Sequence, residues 1–434
     1  MINLKVKFLD KFNADDELAI NRKNVAASNY TSGVINNLIG GNFLTGFLLL
    51  MNADDNFMGI VSMTGLIGNL LQIFSPLLLE RFQKRKGLLI FCRALIYFFN
   101  IIVISAVQFF PSTDRIKLML ILSVTLLVNF INAVSAPGFS VWHIRSIPEK
   151  VRAGYYSFFN ITNGIILYTV ILASSKAIDC FKASGKEMEG LMVFRAIAFI
   201  LCFADIFFLF KIKEYPNERS EANVNLVNIL RNPLRQKRYL ITIFIACLWS
   251  YSSNIPGPYF NVYMLKDLGV SYTFLNLISM FNIPALILLT PLWRKMINST
   301  SWFRTFYFSI GLFSLNYIGL SFVSKNTLAL YPISILFSFL VSPGIYLVLS
   351  NMPYVNIPDK DQTNYIGFYS AMYNLSAFLG ILTGKEFIKF TDGKTLSLFG
   401  FVMQNKQYML LVTAAVMAVS VILIYMLQKK SDSK

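Results

Sequence analysis

The side chains able to bind or react in this chain are mostly amides and aromatic hydroxyls set inside apolar runs. Asn36, Asn37 and Asn42 lie among glycines in the first such run. In the fourth, Asn129, Asn132, Ala136 and Phe139 recur at three- and four-residue steps, which places them on one stripe of a helix. Trp249, Tyr251 and Asn254 share the seventh, Ser342 and Tyr346 are four apart in the tenth, and Tyr369, Tyr373 and Asn374 lie together in the eleventh. Such groups exchange hydrogen bonds without carrying charge, so they suit a neutral polar solute, and equally they suit bonds between helices. Little is available for covalent or metal chemistry. The single histidine, His143, falls at a helix end, and the sequence has no His-Glu-x-x-His and no nucleotide-binding glycine loop. Cys92, Cys202 and Cys247 lie inside apolar runs and Cys180 in a connection, so the reading is four free thiols, no metal and no cofactor.

The elements that hold these residues follow from composition. Of 434 residues 55% are hydrophobic and 14% charged, and the mean hydropathy of +0.57 is far above that of a soluble domain. A membrane-crossing helix needs about 20 apolar residues. Twelve runs qualify: Asn29–Met51, Phe57–Leu79, Gly87–Phe110, Leu118–Trp142, Gly154–Ser175, Leu191–Lys211, Tyr239–Met264, Ser271–Trp293, Phe303–Ser324, Thr327–Ser350, Thr363–Gly384 and Tyr408–Leu427. They are continuously apolar and do not alternate at period two, which requires helices and excludes a barrel.

Charge sets the orientation. With the N-terminus inside, the cytoplasmic segments hold 26 of the 39 Lys and Arg and the external loops hold 11, which predicts that both termini are cytoplasmic. The net charge of +17 then reads as a topology determinant and a contact for anionic membrane lipids, not as nucleic-acid binding. Residues 1–28 carry Asp15, Asp16 and Glu17 and no apolar core, so they read as a cytoplasmic arm and not a signal peptide. Arg93 and Asp205, each six residues from a cytoplasmic helix end, are read as an ion pair between the third and sixth spans, with a proton relay as the alternative.

The polar stretch around residues 212–238 divides the spans six and six, predicting bundles over 29–211 and 239–427 and a short cytoplasmic tail at 428–434. A short interfacial helix over Val224–Arg231 is a weak expectation. Internal repetition supports the division. Ile147-Pro148-Glu149-Lys150 recurs as Ile357-Pro358-Asp359-Lys360, Ala136-Pro137-Gly138 answers Ser342-Pro343-Gly344, and Ser75-Pro76-Leu77 answers Thr290-Pro291-Leu292. The Pro-Gly pairs, and Asn254-Ile255-Pro256-Gly257-Pro258 in the seventh span, are candidate bends, structural or gating.

Between the second and third spans, Pro76 is followed by Glu80-Arg81-Phe82-Gln83-Lys84-Arg85-Lys86. This resembles the major facilitator superfamily signature G-x-x-x-D-R-x-G-R-[RK], with Pro for the first Gly, Glu for Asp and Gln for the second Gly. The resemblance, which with the spans and the repeat covers nearly the whole chain, implies an all-α membrane fold of twelve helices in two pseudo-symmetric halves. It implies that the first, fourth, seventh and tenth spans line a central cavity, and that Glu80 closes the cytoplasmic side. There Glu80 would face the N-terminus of the eleventh helix and pair with Arg145 or Arg152, while Arg81, Lys84 and Arg85 gate or merely fix topology. Lys295 stands at the corresponding place in the second half, so no acid lock is expected there.

None of the four cavity spans carries a titratable residue at depth. The expectation is therefore a monomeric transporter, secondary active or facilitative, moving a small neutral polar solute such as a sugar-like or nucleoside-like metabolite across the cytoplasmic membrane by alternating access. The coupling ion, H+ or Na+ if any, is left open. Efflux of hydrophobic drugs or lipid translocation on the same fold is the alternative, and a membrane enzyme or sensor ranks below both. The topology is directly testable: single cysteines at Asn52 and Lys325 are expected to react with an impermeant maleimide from outside intact cells. Cysteines at Lys84 and Asp359 should react only after permeabilisation, and labelling of Lys84 in intact cells would reverse the orientation.

Overall fold

The computed structural model describes residues 17–72, 75, 79, 82–147, 149–214, 233–354, 356, 362–398 and 400–432. The expected helix at Val224–Arg231 and the repeat at Ile357–Lys360 fall outside them.

Among the described residues, ten helical stretches are long and apolar enough to cross a membrane. Asp55–Leu71, described over 17 residues, and Trp302–Ser321, diluted by serines, tyrosines and an asparagine, fill the second and ninth places. The first helix starts at Glu17, twelve residues before the predicted Asn29, and runs to Ile39, with Gly41–Leu50 continuing after a break at Gly40. Hydropathy could not show this extension, because residues of the expected arm are polar yet buried: Asn21 accepts from the Lys213 backbone N–H, and Tyr155 donates to the Arg22 carbonyl. The last helix, Asn405–Asp432, likewise runs through most of the expected tail. Between the eleventh and twelfth spans, Thr395–Leu398 and Phe401–Gln404 form a small antiparallel hairpin, in which Thr395 faces Gln404.

The chain divides into two compact units, Met1–Asn52 with Phe74–Val224, and Ala53–Ile73 with Asn225–Lys434. The second span therefore belongs with the second unit, not with the bundle of residues 29–211 in which its sequence order placed it. The cause is its packing on the eleventh span, Gln362–Phe390. Gly59 lies beside Tyr259 and Lys385, and the amides of Asn69 and Asn374 are 3.2 Å apart.

The Pro-Gly pairs do not break their helices, which run on through Pro137 (Asp114–Arg145) and Pro343 (Leu330–Asn351). Each proline deprives the carbonyl four residues back of its partner. Beside that carbonyl in each unit, a donor from the neighbouring span is inserted: Ser75 Oγ to the Val134 carbonyl at 2.6 Å, and Trp293 Nε1 to the Leu340 carbonyl at 2.9 Å. Real interruptions occur elsewhere. The third span passes through a π-helical segment, Phe98–Val103. The seventh stops at Asn254, resumes as Tyr259–Val262, and ends in a second π segment, Tyr263–Asp267, with Gly257 at a φ of +44°.

The break in the seventh span is received by two glycines one helical turn apart. A Cβ at Gly380 would strike the Tyr251 carbonyl, and one at Gly384 would strike the Ile255 carbonyl. Backbone cannot give way as a flexible side chain can, so Gly384→Ala is expected to destabilise by about 1–3 kcal/mol through overpacking. Gly311→Ala, whose Cβ would meet only Val421 at 3.8 Å, should be neutral or stabilising, since alanine is the better helix former. Unfolding midpoints of the two purified variants compare the outcomes, and equal midpoints would remove the close-approach explanation.

Candidate functional site

Among the described residues of the first unit the most buried acid is Asp205, with no exposed surface. It accepts from Ser28 Oγ of the first span and, at 2.5 Å, from Tyr97 Oη of the third. Arg93 Nε lies 3.7 Å from the second carboxylate oxygen, and its guanidinium stands over the Phe139 ring at 4.6 Å. One carboxylate thus ties three helices together and, through Arg93, reaches a fourth. His143 packs edge-on against Phe139, and its Nε2 is buried without a hydrogen-bond partner. A second cation, Arg195, donates to the Asn100 carbonyl inside the π segment at 2.9 Å and lies over Phe47 at 4.4 Å. Its role is to occupy backbone left exposed by the irregular helix.

The amides singled out in this unit are spread out. Asn37 donates to the Gly33 carbonyl at 2.8 Å, Asn36 and Asn132 are exposed, and Asn42 and Asn129 both have partners. Sequence reasoning missed the feature beside them. Tyr30 bonds Thr162 and stacks on Phe159 at 5.2 Å, which stacks on Tyr155 at 6.2 Å. Close by, the Asn163 carbonyl oxygen is buried without a partner, 3.6 Å from where a Cβ at Gly33 would stand. The sequence signal was the polar Asn-Ile-Thr-Asn at 160–163 of the fifth span.

At the linker end of this unit, Lys86 Nζ donates to the Phe210 and Ile212 carbonyls at 2.8 and 2.7 Å, capping the sixth helix. The acid there is Glu214, which takes the Lys86 backbone N–H at 2.8 Å and shares a small recess with Arg85 and Arg145. Arg85 also donates to the Phe82 carbonyl, and Lys84 is exposed. Glu80, Arg81 and the Arg152 side chain lie outside the description.

The second unit gathers more of its predicted residues. Asn254 donates to the Ser250 carbonyl and Ser250 to the Tyr373 carbonyl, each at 2.7 Å, while Tyr369 and Tyr373 stack at 6.0 Å. Asn374 joins through its contact with Asn69, and Tyr251 meets Thr383 at 3.0 Å. Tyr346 is 56% exposed. Trp249 is buried against Phe306 and Phe313, and its side chain is hydrogen-bonded to Tyr373. At the hairpin end, Lys406 is clamped between Asp55 at 2.8 Å and Asp267 at 2.9 Å.

Residues 181–381 match the family model described as Major Facilitator Superfamily. That stretch of the chain resembles the superfamily. The fold of the whole chain is similar along nearly its full length to solved transporters: a variant of the nucleoside transporter NupG (12% identity, 93% of this chain and 99% of that one, TM-score 0.70) and a bacterial homologue of the iron transporter ferroportin in an inward-facing state (12%, 95% and 99%, 0.68). A D-xylose–proton symporter is also similar (14%, 94% and 96%, 0.64). No curated protein matches in sequence. With ten described helices long and apolar enough to cross a membrane, the protein is a multi-pass membrane protein.

Asp205→Asn is expected to destabilise the protein by about 3–5 kcal/mol, because it leaves Arg93 without its counter-charge. Arg93→Met combined with Asp205→Leu should recover most of the loss. A double variant no more stable than Asp205→Asn would show that the hydrogen bonds from Ser28 and Tyr97, not the charge pair, carry the stability.

Proposed function

We propose that the protein moves a small neutral polar solute, sugar-like or nucleoside-like, across the cytoplasmic membrane by alternating access, with both termini cytoplasmic. The observation that carries this reading is the chemistry of the first, fourth, seventh and tenth spans: at depth they offer amides and hydroxyls and no Asp, Glu, His, Lys or Arg. A charged substrate would need a counter-charge there, since ionisable groups in hydrocarbon are costly and mark ion pathways. The similarity to NupG and to the xylose symporter is in keeping with such a solute, whereas the peptide and metal transporters among the similar folds leave the class open. Asp205 supports a structural more than a proton-carrying role, since two hydroxyls and a guanidinium already surround its carboxylate. The local bonds of Asn37 and Asn254 use one N–H each. Their carbonyl oxygens and remaining N–H groups are the proposed contacts.

Uptake of a metabolite panel by proteoliposomes, with and without a proton or sodium gradient, identifies the solute. For that solute, Asn37→Ala, Asn132→Ala, Asn254→Ala and Tyr373→Ala are expected to weaken binding by about 0.5–3 kcal/mol where contact is direct, with membrane insertion unchanged. Normal isotherms for all four would place the site elsewhere. Selective loss of gradient-driven accumulation in a well-folded Asp205→Asn variant would make Asp205 the proton carrier.

A further inference from the structure

Within the second unit, an apolar groove of about 490 Å³ lies between the seventh and eleventh spans. One wall is the stripe Leu240, Phe244 and Leu248 of the helix Lys237–Asn254, and the other is Phe368, Met372 and Leu379 of Gln362–Phe390. Its face is open: Phe244 is 48% exposed and Leu379 44%. Leu240 to Tyr251 covers about 16 Å at 1.5 Å per residue, close to half the hydrocarbon core of about 30 Å. The groove is therefore one leaflet deep and starts at the linker end.

Its mouth is basic. Leu234, exposed and part of the lining, is followed by Arg235, Lys237 and Arg238, all exposed and, among the described residues, without an ion pair. Lys237 stands three, seven and eleven residues before Leu240, Phe244 and Leu248, so it tops the same stripe. The charge lies where a membrane helix meets the headgroups, and the apolar channel runs inward from it.

We propose that this groove is a binding site for an anionic phospholipid of the linker-side leaflet, one acyl chain lying in the groove and the phosphate held by Arg235, Lys237 and Arg238. On the proposed topology that is the cytoplasmic leaflet, whose anionic lipids attract such clusters. Occupancy would brace the two helices that meet at the break in the seventh span.

Native mass spectrometry of the full chain tests this with phosphatidylglycerol and phosphatidylcholine of identical chains. Wild type is expected to retain severalfold more phosphatidylglycerol. Combined R235Q, K237Q and R238Q should reduce retention to the phosphatidylcholine level without changing the unfolding midpoint in detergent. Ser376→Phe, which fills the groove, should lower retention of both lipids, and Leu240→Gln serves if that variant fails to fold. Equal retention of the two lipids by wild type overturns the proposal in favour of a tail pocket indifferent to headgroup. Undiminished retention by the triple glutamine variant, or by both groove variants, overturns it by placing the lipid elsewhere.

Discussion

Backbone N–H and C=O groups in hydrocarbon have no water to turn to, and each one left unpaired costs several kcal/mol. The rest of this molecule is arranged around that constraint. Regular helix answers it for most residues, so attention falls on the places where the helices are irregular. Several of the described exceptions have a particular neighbour beside them. Arg195 reaches the π segment of the third span, Ser75 and Trp293 supply donors next to the carbonyls freed by Pro137 and Pro343, and Lys86 closes the end of the sixth helix. The inserted donors beside the two prolines come from equivalent spans of the two halves, the second and the eighth.

The same constraint explains where charge is buried. Asp205 is fully enclosed, yet its oxygens meet two hydroxyls and a guanidinium, and the guanidinium is backed by the face of Phe139. Because those partners arise from the first, third and fourth spans, the acid acts as a junction of the first unit. Lys406 between Asp55 and Asp267 does the corresponding work in the second unit, holding the second span to the seventh and twelfth. Without burial such pairs are worth little; Lys406 is only 5% exposed.

Close approach of backbones does the work that hydrophobic burial does in water, because lipid tails are as apolar as the side chains that leave them. Gly380 and Gly384 let the eleventh span lie directly on the interrupted part of the seventh. An unwound segment is tolerable there since protein covers it. Trp249 packs between the seventh and ninth spans while its side chain is hydrogen-bonded to Tyr373 of the eleventh.

The sequence by itself determined the helical membrane class, the two-halved fold and the approximate places of the spans. These depend on run length, composition and recurrence, which need no knowledge of neighbours. It also pointed to Arg93 with Asp205, since two opposite charges at matching depth in hydrocarbon have few other partners. Only tertiary structure decided what depends on a helix's partner. That includes the burial of the polar start of the first helix, the membership of the second span, and the continuity of helices through Pro137 and Pro343. In each case the deciding quantity was a hydrogen bond or a steric contact between residues far apart in the chain, for which local composition carries no signal.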